Sequence, residues 1–222
     1  MFTEVNRVFI EELEKLVKVE ELAWSSPGEN IEASRKKISR RAEKKSGQIV
    51  ILATINGEPA GSQYAFRFCW DGQIDKLSSW DEYAAEGWTE KVHKDSGETG
   101  FLVGVGVVPK FRGIKCSHNL SWPGEYKISE LLIAKTLEEL FSNPLVKRVI
   151  ANARIPFYHL KPELSVEDYC SLRGENGKLF DPVLRFHERM GAKIIKPVTF
   201  SMEDAESLNA GCWVVYEHSF QG

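Results

Sequence analysis

Apolar positions recur at helical spacing twice near the start of the chain. Phe9, Leu13, Leu16, Val17, Leu22 and Ala23, with Glu and Lys between them, predict a helix over Phe9–Trp24, stopped by Ser25, Ser26, Pro27 and Gly28. Ile31, Ser34, Ile38 and Ala42 share one side of a second helix, Ile31–Lys45, which ends at Ser46-Gly47. The pattern then changes. Gln48–Ile55 (QIVILATI) is a nearly continuous β-branched run, Asn56-Gly57 is a strong two-residue hairpin signal, and Pro59–Phe68 reads as the returning strand. Cys69–Thr99 is polar and irregular, with Trp70, Trp80, Tyr83 and Trp88 scattered through it. A segment that long is functional or carries short helices of its own. Its tryptophans are expected to close a core.

Phe101–Val108 is the central buried strand, and it runs into a turn of Pro109, Lys110, Phe111, Arg112 and Gly113. Ile114–Tyr126 follows as an insertion. The helix Ile128–Leu140 has an apolar face through Ile128, Leu131, Leu132 and Leu140, and Asn143-Pro144 ends it. Val146–Ala151 is then a strand expected to lie parallel to its neighbour through a crossover. Asn152–Lys178 is again irregular. Asp181 and Pro182 fit an N-cap and first helical position, opening a short helix, Val183–Met190. Ala192–Val198 and Gly211–Glu217 are two closing strands. These elements predict an α/β fold of the α+β type, a central mixed sheet flanked by helices, in one domain over residues 1–222.

Composition narrows the partners. The 222 residues carry a net charge of −3, which gives no pull toward nucleic acid or an anionic membrane. The dense basic run Arg35–Lys45 reads as a solvated helix face, with anion binding as the alternative. Cys69, Cys116, Cys170 and Cys212 form no CxxC pair, so no metal is expected, and reduced thiols fit a cytoplasmic protein. The start of the chain has acidic residues within its apolar stretch, unlike a signal peptide, and no window is apolar enough to span a bilayer. The sequence is compatible with a homodimer.

The chemistry centres on FLVGVGVVPKFRG. A buried strand opening through a basic turn toward a helix N-terminus suits phosphate, because the turn and the helix offer unpaired N–H groups and the positive end of the dipole. Arg112 adds a planar cationic fork, and Gly113 lets backbone approach closely. The bland alternative is a pair of exposed basic turn residues.

The segment VGVVPKFRG resembles the acyl-CoA-binding motif of the GNAT superfamily, the Gcn5-related N-acetyltransferases, whose pattern is V-x-P-x-x-R-G and then G-x-G/A at a helix start. DPVLRFHERMGAKII resembles the family's second motif, A-x-x-F-Y-x-x-x-G-F. The two N-terminal helices and the Asn56-Gly57 hairpin fit the same layout, so the resemblance covers nearly the whole chain apart from the two irregular segments. Ile114–Tyr126 interrupts the glycine loop, and the best register puts Lys127 and Ser129 at its small positions. The resemblance implies acetyl-CoA or another acyl-CoA as co-substrate. The expected binding groups are the main chain of Val105, Val107 and Val108, with Arg112, Gly113, Lys127, Ser129 and Asn152. It implies direct N-acyl transfer to an amine. His187 stands where the family's acid tyrosine falls, and His159, past the Val146–Ala151 strand, is a second acid–base candidate. Asp81, Glu82 and Glu98 are carboxylates that could act as bases. The enlarged C-terminal half is also similar to GNAT-like loading domains of polyketide synthases, described as decarboxylating malonyl-CoA or acylating a carrier-protein thiol. In that reading Trp24, Ser129, His159 and Arg173 furnish the pocket. A non-catalytic acyl-CoA sensor is the third reading.

Overall fold

The computed structural model describes residues 1–24 and 30–217, so the helix stop expected at Ser25–Gly28 lies outside the described residues. One sheet of nine strands organises them, in the order β6-β5-β1-β2-β3-β4-β7-β9-β8. The first strand, β1 (Phe2–Arg7), precedes the helices and was not foreseen. Only Thr3 and Val5 are buried in it, and the period of two is hard to see when one of its two inward residues is a threonine. The first helix, α1 (Leu13–Ala23), begins later than its pattern suggested, after a 3-10 turn at Ile10–Glu12. The second, α2 (Ile31–Ala42), is capped by Asn30, whose side chain accepts from the Glu32 and Ala33 amides. The basic residues of the Arg35–Lys45 run are mostly neutralised at the surface: Lys36 pairs with Glu32, Arg40 and Lys45 with Glu43, and Arg35 with Glu14. Only Arg41 of the group is buried.

The hairpin β2 (Ile49–Ile55) and β3 (Glu58–Phe68) turns at Asn56-Gly57, both at positive φ as the turn requires. The strand β4 (Thr99–Val107) lies antiparallel to β3. Between them, Cys69–Ser96 folds into 3-10 turns and a short helix, α3 (Trp80–Tyr83). Its aromatics do close a core: Tyr83 packs edge-on to Trp213 at 5.1 Å, and Trp80 donates to the Val103 carbonyl at 3.0 Å. The insertion after Gly113 is a small hairpin, β5 (Lys115–His118) and β6 (Tyr126–Lys127), that extends the sheet beside β1.

Helix α4 (Ile128–Phe141) carries the chain across to β7 (Arg148–Arg154), which pairs in parallel with β4 as expected. Two short helices follow, α5 (Val166–Ser171) and α6 (Pro182–Arg189), then β8 (Lys193–Val198) and β9 (Gly211–Glu217). The two main helices grip opposite faces. A Cβ on Gly61 would come within 3.0 Å of Ile128 and Leu132 of α4, whereas one on Gly106 would meet Ala23 of α1 and its C-cap Trp24. Gly61 is opposite Val107, so Gly106 points to the other side. Glycine at both places lets helix and strand approach closely. Asp181 caps α6 through the Val183 and Leu184 amides, and Pro182 sits in the first turn, as the sequence suggests.

Candidate active site

The site is made where two neighbouring strands part. β4 and β7 pair only from Thr99↔Arg148 to Leu102↔Ala151. Beyond that point β7 stays with β9 as far as Arg154↔Gly211, and β4 stays with β3 as far as Val107↔Gly61. The cause is a one-residue irregularity. Tyr64 pairs with Gly104 and Ala65 with Leu102, leaving Val103 as the extra residue that bends β4. The Trp80 indole holds the freed Val103 carbonyl.

The ladder settles which groups face the resulting wedge. The Val108 amide donates to Ala60 at 2.9 Å. Alternation along an antiparallel pair then puts Gly106 and Gly104 in bonded pairs with Ser62 and Tyr64, and turns the main-chain groups of Val105 and Val107 away from β3. The Val107 carbonyl is taken by Arg112 Nε at 2.9 Å. What faces the wedge is therefore Val105 N–H, Val105 C=O and Val107 N–H. The expectation for Val108 is corrected: its N–H is in the ladder and its carbonyl accepts from Phe111, so it has no main-chain group to offer.

A cleft of about 350 Å³ opens there, and Trp24, Val105, Val107, Arg112, Gly113, Lys127 and Ser129 all line it. The hairpin inserted after Gly113 thus returns the chain to the same place, with Lys127 as the N-cap of α4 and Ser129 in its first turn. The first-turn amides and the helix dipole point positive partial charge at the cleft. The Lys127 amide is already used, donating to Glu130 at 2.8 Å. Gly113 has φ +77°, a left-handed conformation in which other residues are strained. Arg112 does more than the basic turn implied: besides Val107 it donates to the Ala23 carbonyl at 2.9 Å, tying the turn to the C-terminus of α1. Two of its donor positions are thereby spent, and Nη1 is left for a ligand.

Sequence reasoning missed Arg154, which lines the cleft from the end of β7. Its guanidinium is held by both Asp204 oxygens at 2.8 Å and by Glu206 at 2.8 Å, and the Asp204 pairing raises its pKa further. Its place as the last residue of β7 (RVIANAR), beyond the pairing with β4, is what brings it to the cleft.

Other candidates fall elsewhere. His187 is 6% exposed, on the inner face of α6 with Leu184, and its Nδ1 lies 2.6 Å from Tyr216 Oη. It does not line the cleft, so the acid role expected of it is corrected to a core position. Burial pushes its pKa down to about 4. The sign of the stability effect follows: with the folded pKa below the unfolded one, the contribution is full above about pH 6.5 and is lost as pH falls through about 4. Thermal melts of His187→Gln should show a flatter stability profile across that interval than the parent. An unchanged slope would contradict the assignment.

Arg173 is exposed and bound to the Gly177 carbonyl and to Glu188, away from the cleft; the pocket role expected for it is corrected as well. His159 is exposed on the turn Tyr158–Leu160, with Nδ1 2.8 Å from the Pro156 carbonyl and 3.0 Å from that of Glu206. Donation from Nδ1 to these carbonyls leaves Nε2 with its lone pair. The same Glu206 binds Arg154 through its side chain, which links His159 to the cleft wall. Asn152, 8% exposed, is the first residue of β7 past its pairing with β4; its Oδ1 accepts from Ser201 at 2.7 Å and its buried Nδ2 has no partner. Glu98 pairs with Lys147 at the surface. Among the described residues no group of His, Cys, Asp and Glu could hold a metal ion, and no helix is long and apolar enough to cross a membrane.

No family model matches the chain. A curated relative, described as an uncharacterized N-acetyltransferase, YkwB of Bacillus subtilis (strain 168), is 28% identical over 171 residues, covering 77% of this chain and 69% of that protein. Among solved structures, the loading GNATL domain of CurA from Lyngbya majuscula has a TM-score of 0.78 at 22% identity, with both chains covered completely. The GphF GNAT-like decarboxylase, solved with isobutyryl-CoA, has a TM-score of 0.73 at 23% identity, over 96% of this chain and 98% of that one. The ribosomal-protein-S18-alanine N-acetyltransferase of Escherichia coli follows at 0.55 and 10% identity, over 99% and 96%. The mixed sheet flanked by helices agrees with these likenesses: the chain has a GNAT-like fold.

Proposed function

We propose that the chain is an acyl-CoA-dependent acyltransferase that binds its co-substrate, acetyl-CoA in the first instance, in the wedge between β4 and β7 and passes the acyl group directly to an amine. The observation that carries this is the parting of the two strands, with two N–H groups and one carbonyl of Val105 and Val107 turned into it. The amides of a pantetheine arm can pair with such groups as a short extra strand would. The pyrophosphate then falls at Gly113 and the first turn of α4, with Lys127 and the remaining donors of Arg112 beside it. His159, whose Nε2 is uncommitted to the backbone, is the acid–base candidate. The name of the curated relative supports the N-acyl reading.

A second reading is favoured by one observation. The residues lining the cleft include no carboxylate and no imidazole among those described, whereas amine attack calls for a base. Decarboxylation of a malonyl-type thioester, or transfer to a carrier-protein thiol, makes other demands: hydrogen-bond donors for the developing oxyanion and apolar walls, which Ser129, Trp24 and Ile128 could supply. The fold likeness to GphF and CurA over almost the entire chain leans the same way. Mass spectrometry separates the two. Incubation with acetyl-CoA and an amine mixture should give amides and free CoA under the first reading. Under the second, malonyl-CoA should become acetyl-CoA with no amine present. If neither thioester changes, both are wrong.

A further inference from the structure

A side-chain donor at the closed end of the wedge is used by neither the core nor the ladder. Asn152 is the first residue of β7 past the last β4–β7 pair, Leu102↔Ala151. Its nitrogen Nδ2 is buried and has no hydrogen-bond partner. Ser201 assigns the two ends of that amide: its hydroxyl accepts from the Trp80 amide at 3.4 Å and donates to Asn152 Oδ1 at 2.7 Å. Oδ1 leans over β9, where a Cβ on Gly211 would come within 2.4 Å of it. Nδ2 branches from the same carbon away from β9, to the side that β4 has left. A buried N–H without an acceptor marks a position for a water or ligand oxygen.

The registers show what shares that face. Phe101 stands beside Ile150 in the parallel pair and opposite Phe66, and Tyr64, two residues along β3, is opposite Gly104. Alternation then puts Gly104, Asn152 and Arg154 on one face of the sheet, with the wedge between the first and the other two. A Cβ at Gly104 would meet nothing within 4 Å, so β4 leaves room there. Arg154 lines the cleft. Its Nε and Nη2, one edge of the guanidinium, go to Asp204 and Glu206, and the far corner, Nη1, has no bond to a described residue. Asp204 alone matches the Arg154 charge, and Glu206 adds a second carboxylate. The corner therefore donates hydrogen bonds without a net positive charge. Arg112 and Lys127, the other cations lining the cleft, stand at its phosphate end.

Resting on the reading that an acyl-CoA lies in the wedge, we infer that Asn152 Nδ2 and Arg154 Nη1 together recognise the acyl group, and that this group carries a neutral oxygen on its third carbon, as a 3-oxoacyl or 3-hydroxyacyl thioester does. With the pyrophosphate at Gly113 and the arm along Val107 and then Val105, the thioester comes to the closed end of the wedge, next to Asn152. Its own carbonyl lies between the strands, among main-chain groups. The side chains of Asn152 and Arg154 stand off the sheet on one face, so the oxygen they meet belongs to an atom further along the acyl chain. That oxygen gives the Asn152 amide its missing acceptor and takes the free corner of the guanidinium. A plain alkyl chain leaves both donors unpaired. A carboxylate gains no net attraction, because Asp204 and Glu206 already outweigh the one guanidinium.

Calorimetry on the full chain with no amine present tests this, with acetoacetyl-CoA, butyryl-CoA and malonyl-CoA as probes, each recovered afterwards and checked by mass spectrometry. The first two have equal chain length and differ by the one oxygen. Acetoacetyl-CoA should bind at least about tenfold tighter than butyryl-CoA, and tighter than malonyl-CoA. In Asn152→Leu, of similar size and without a donor, the preference over butyryl-CoA should fall below about twofold. Arg154→Lys keeps an ion pair to Asp204 and loses Nη1; it should cut the preference by about threefold, and it carries the test if the leucine variant does not fold. Equal affinity for acetoacetyl-CoA and butyryl-CoA, an unchanged preference in a folded variant, or tighter binding or consumption of malonyl-CoA overturns the inference. Failure of the parent to bind these thioesters and coenzyme A alike overturns the acyl-CoA reading itself, and this inference with it.

Discussion

Replacing Val105 with proline is expected to weaken acetyl-CoA binding by about 10- to 100-fold, read by calorimetry, while the β3–β4 ladder survives. The reasoning is positional. Proline removes one N–H, and at Val105 that N–H is turned away from β3 and toward the wedge. Proline is tolerated where the strand's N–H side is unpaired, which holds for β4 beyond Leu102. The same substitution at Gly106, whose N–H serves the ladder, should unfold the strand locally. Val105→Ala keeps the N–H and loses only part of a half-buried side chain, so it should change affinity by less than about threefold. Equal losses in the proline and alanine variants would mean that the side chain, and not the backbone donor, holds the ligand.

The largest effect on stability is expected at Asp181. Asp181→Ala should lower the unfolding free energy by about 3–4 kcal/mol, measured by urea denaturation. The carboxylate is 1% exposed and is the meeting point of three elements. One oxygen caps α6 through Val183 and Leu184; the other accepts from Tyr169 Oη at 2.8 Å and from the Phe157 amide at 3.3 Å. Alanine leaves these donors buried and unpaired. Asparagine can keep the cap, but its amide nitrogen meets the Tyr169 and Phe157 donors, so an intermediate loss follows. Because Phe157 opens the turn that carries His159, the same variants should blunt activity more than a remote mutation of equal cost. Burial holds the Asp181 carboxyl above the ordinary carboxylate range. Its contribution is therefore full below the unfolded pKa and declines as pH rises through the folded one. In Asp181→Asn that decline should vanish.

The chain displays its scaffold more openly than its chemistry. Strand β4 and the Asn56-Gly57 hairpin follow from local pattern as continuous apolar runs with a turn signal, and helix α4 and the Asp181-Pro182 start of α6 follow from apolar spacing and a cap. Strand β1 was hidden because an edge-side strand with polar outward residues and an inward threonine looks like a polar leader. The phosphate-side residues Arg112, Gly113, Lys127 and Ser129 were legible as a group, since a turn and a helix N-terminus announce themselves in sequence. Arg154 was not, because it matters through neighbours brought from a distant part of the chain, Asp204 and Glu206. His187 misled for an instructive reason. Its motif position suggested an active-site acid, yet its spacing from Leu184 on a short amphipathic helix already placed it on the buried face. Arg173 misled in the opposite sense, since a charge in a loop can be satisfied by the nearest carboxylate, here Glu188.

The central claim is that an acyl-CoA lies between β4 and β7 with its pantetheine arm along Val105 and Val107. A crystal structure of the protein grown with acetyl-CoA tests it most directly. The account predicts electron density in the wedge, with hydrogen bonds from Val105 N–H and Val107 N–H to the arm and the pyrophosphate at Gly113 and the first turn of α4. Density for acetyl-CoA elsewhere on the protein, or in the wedge without contact to those two amides, would contradict it.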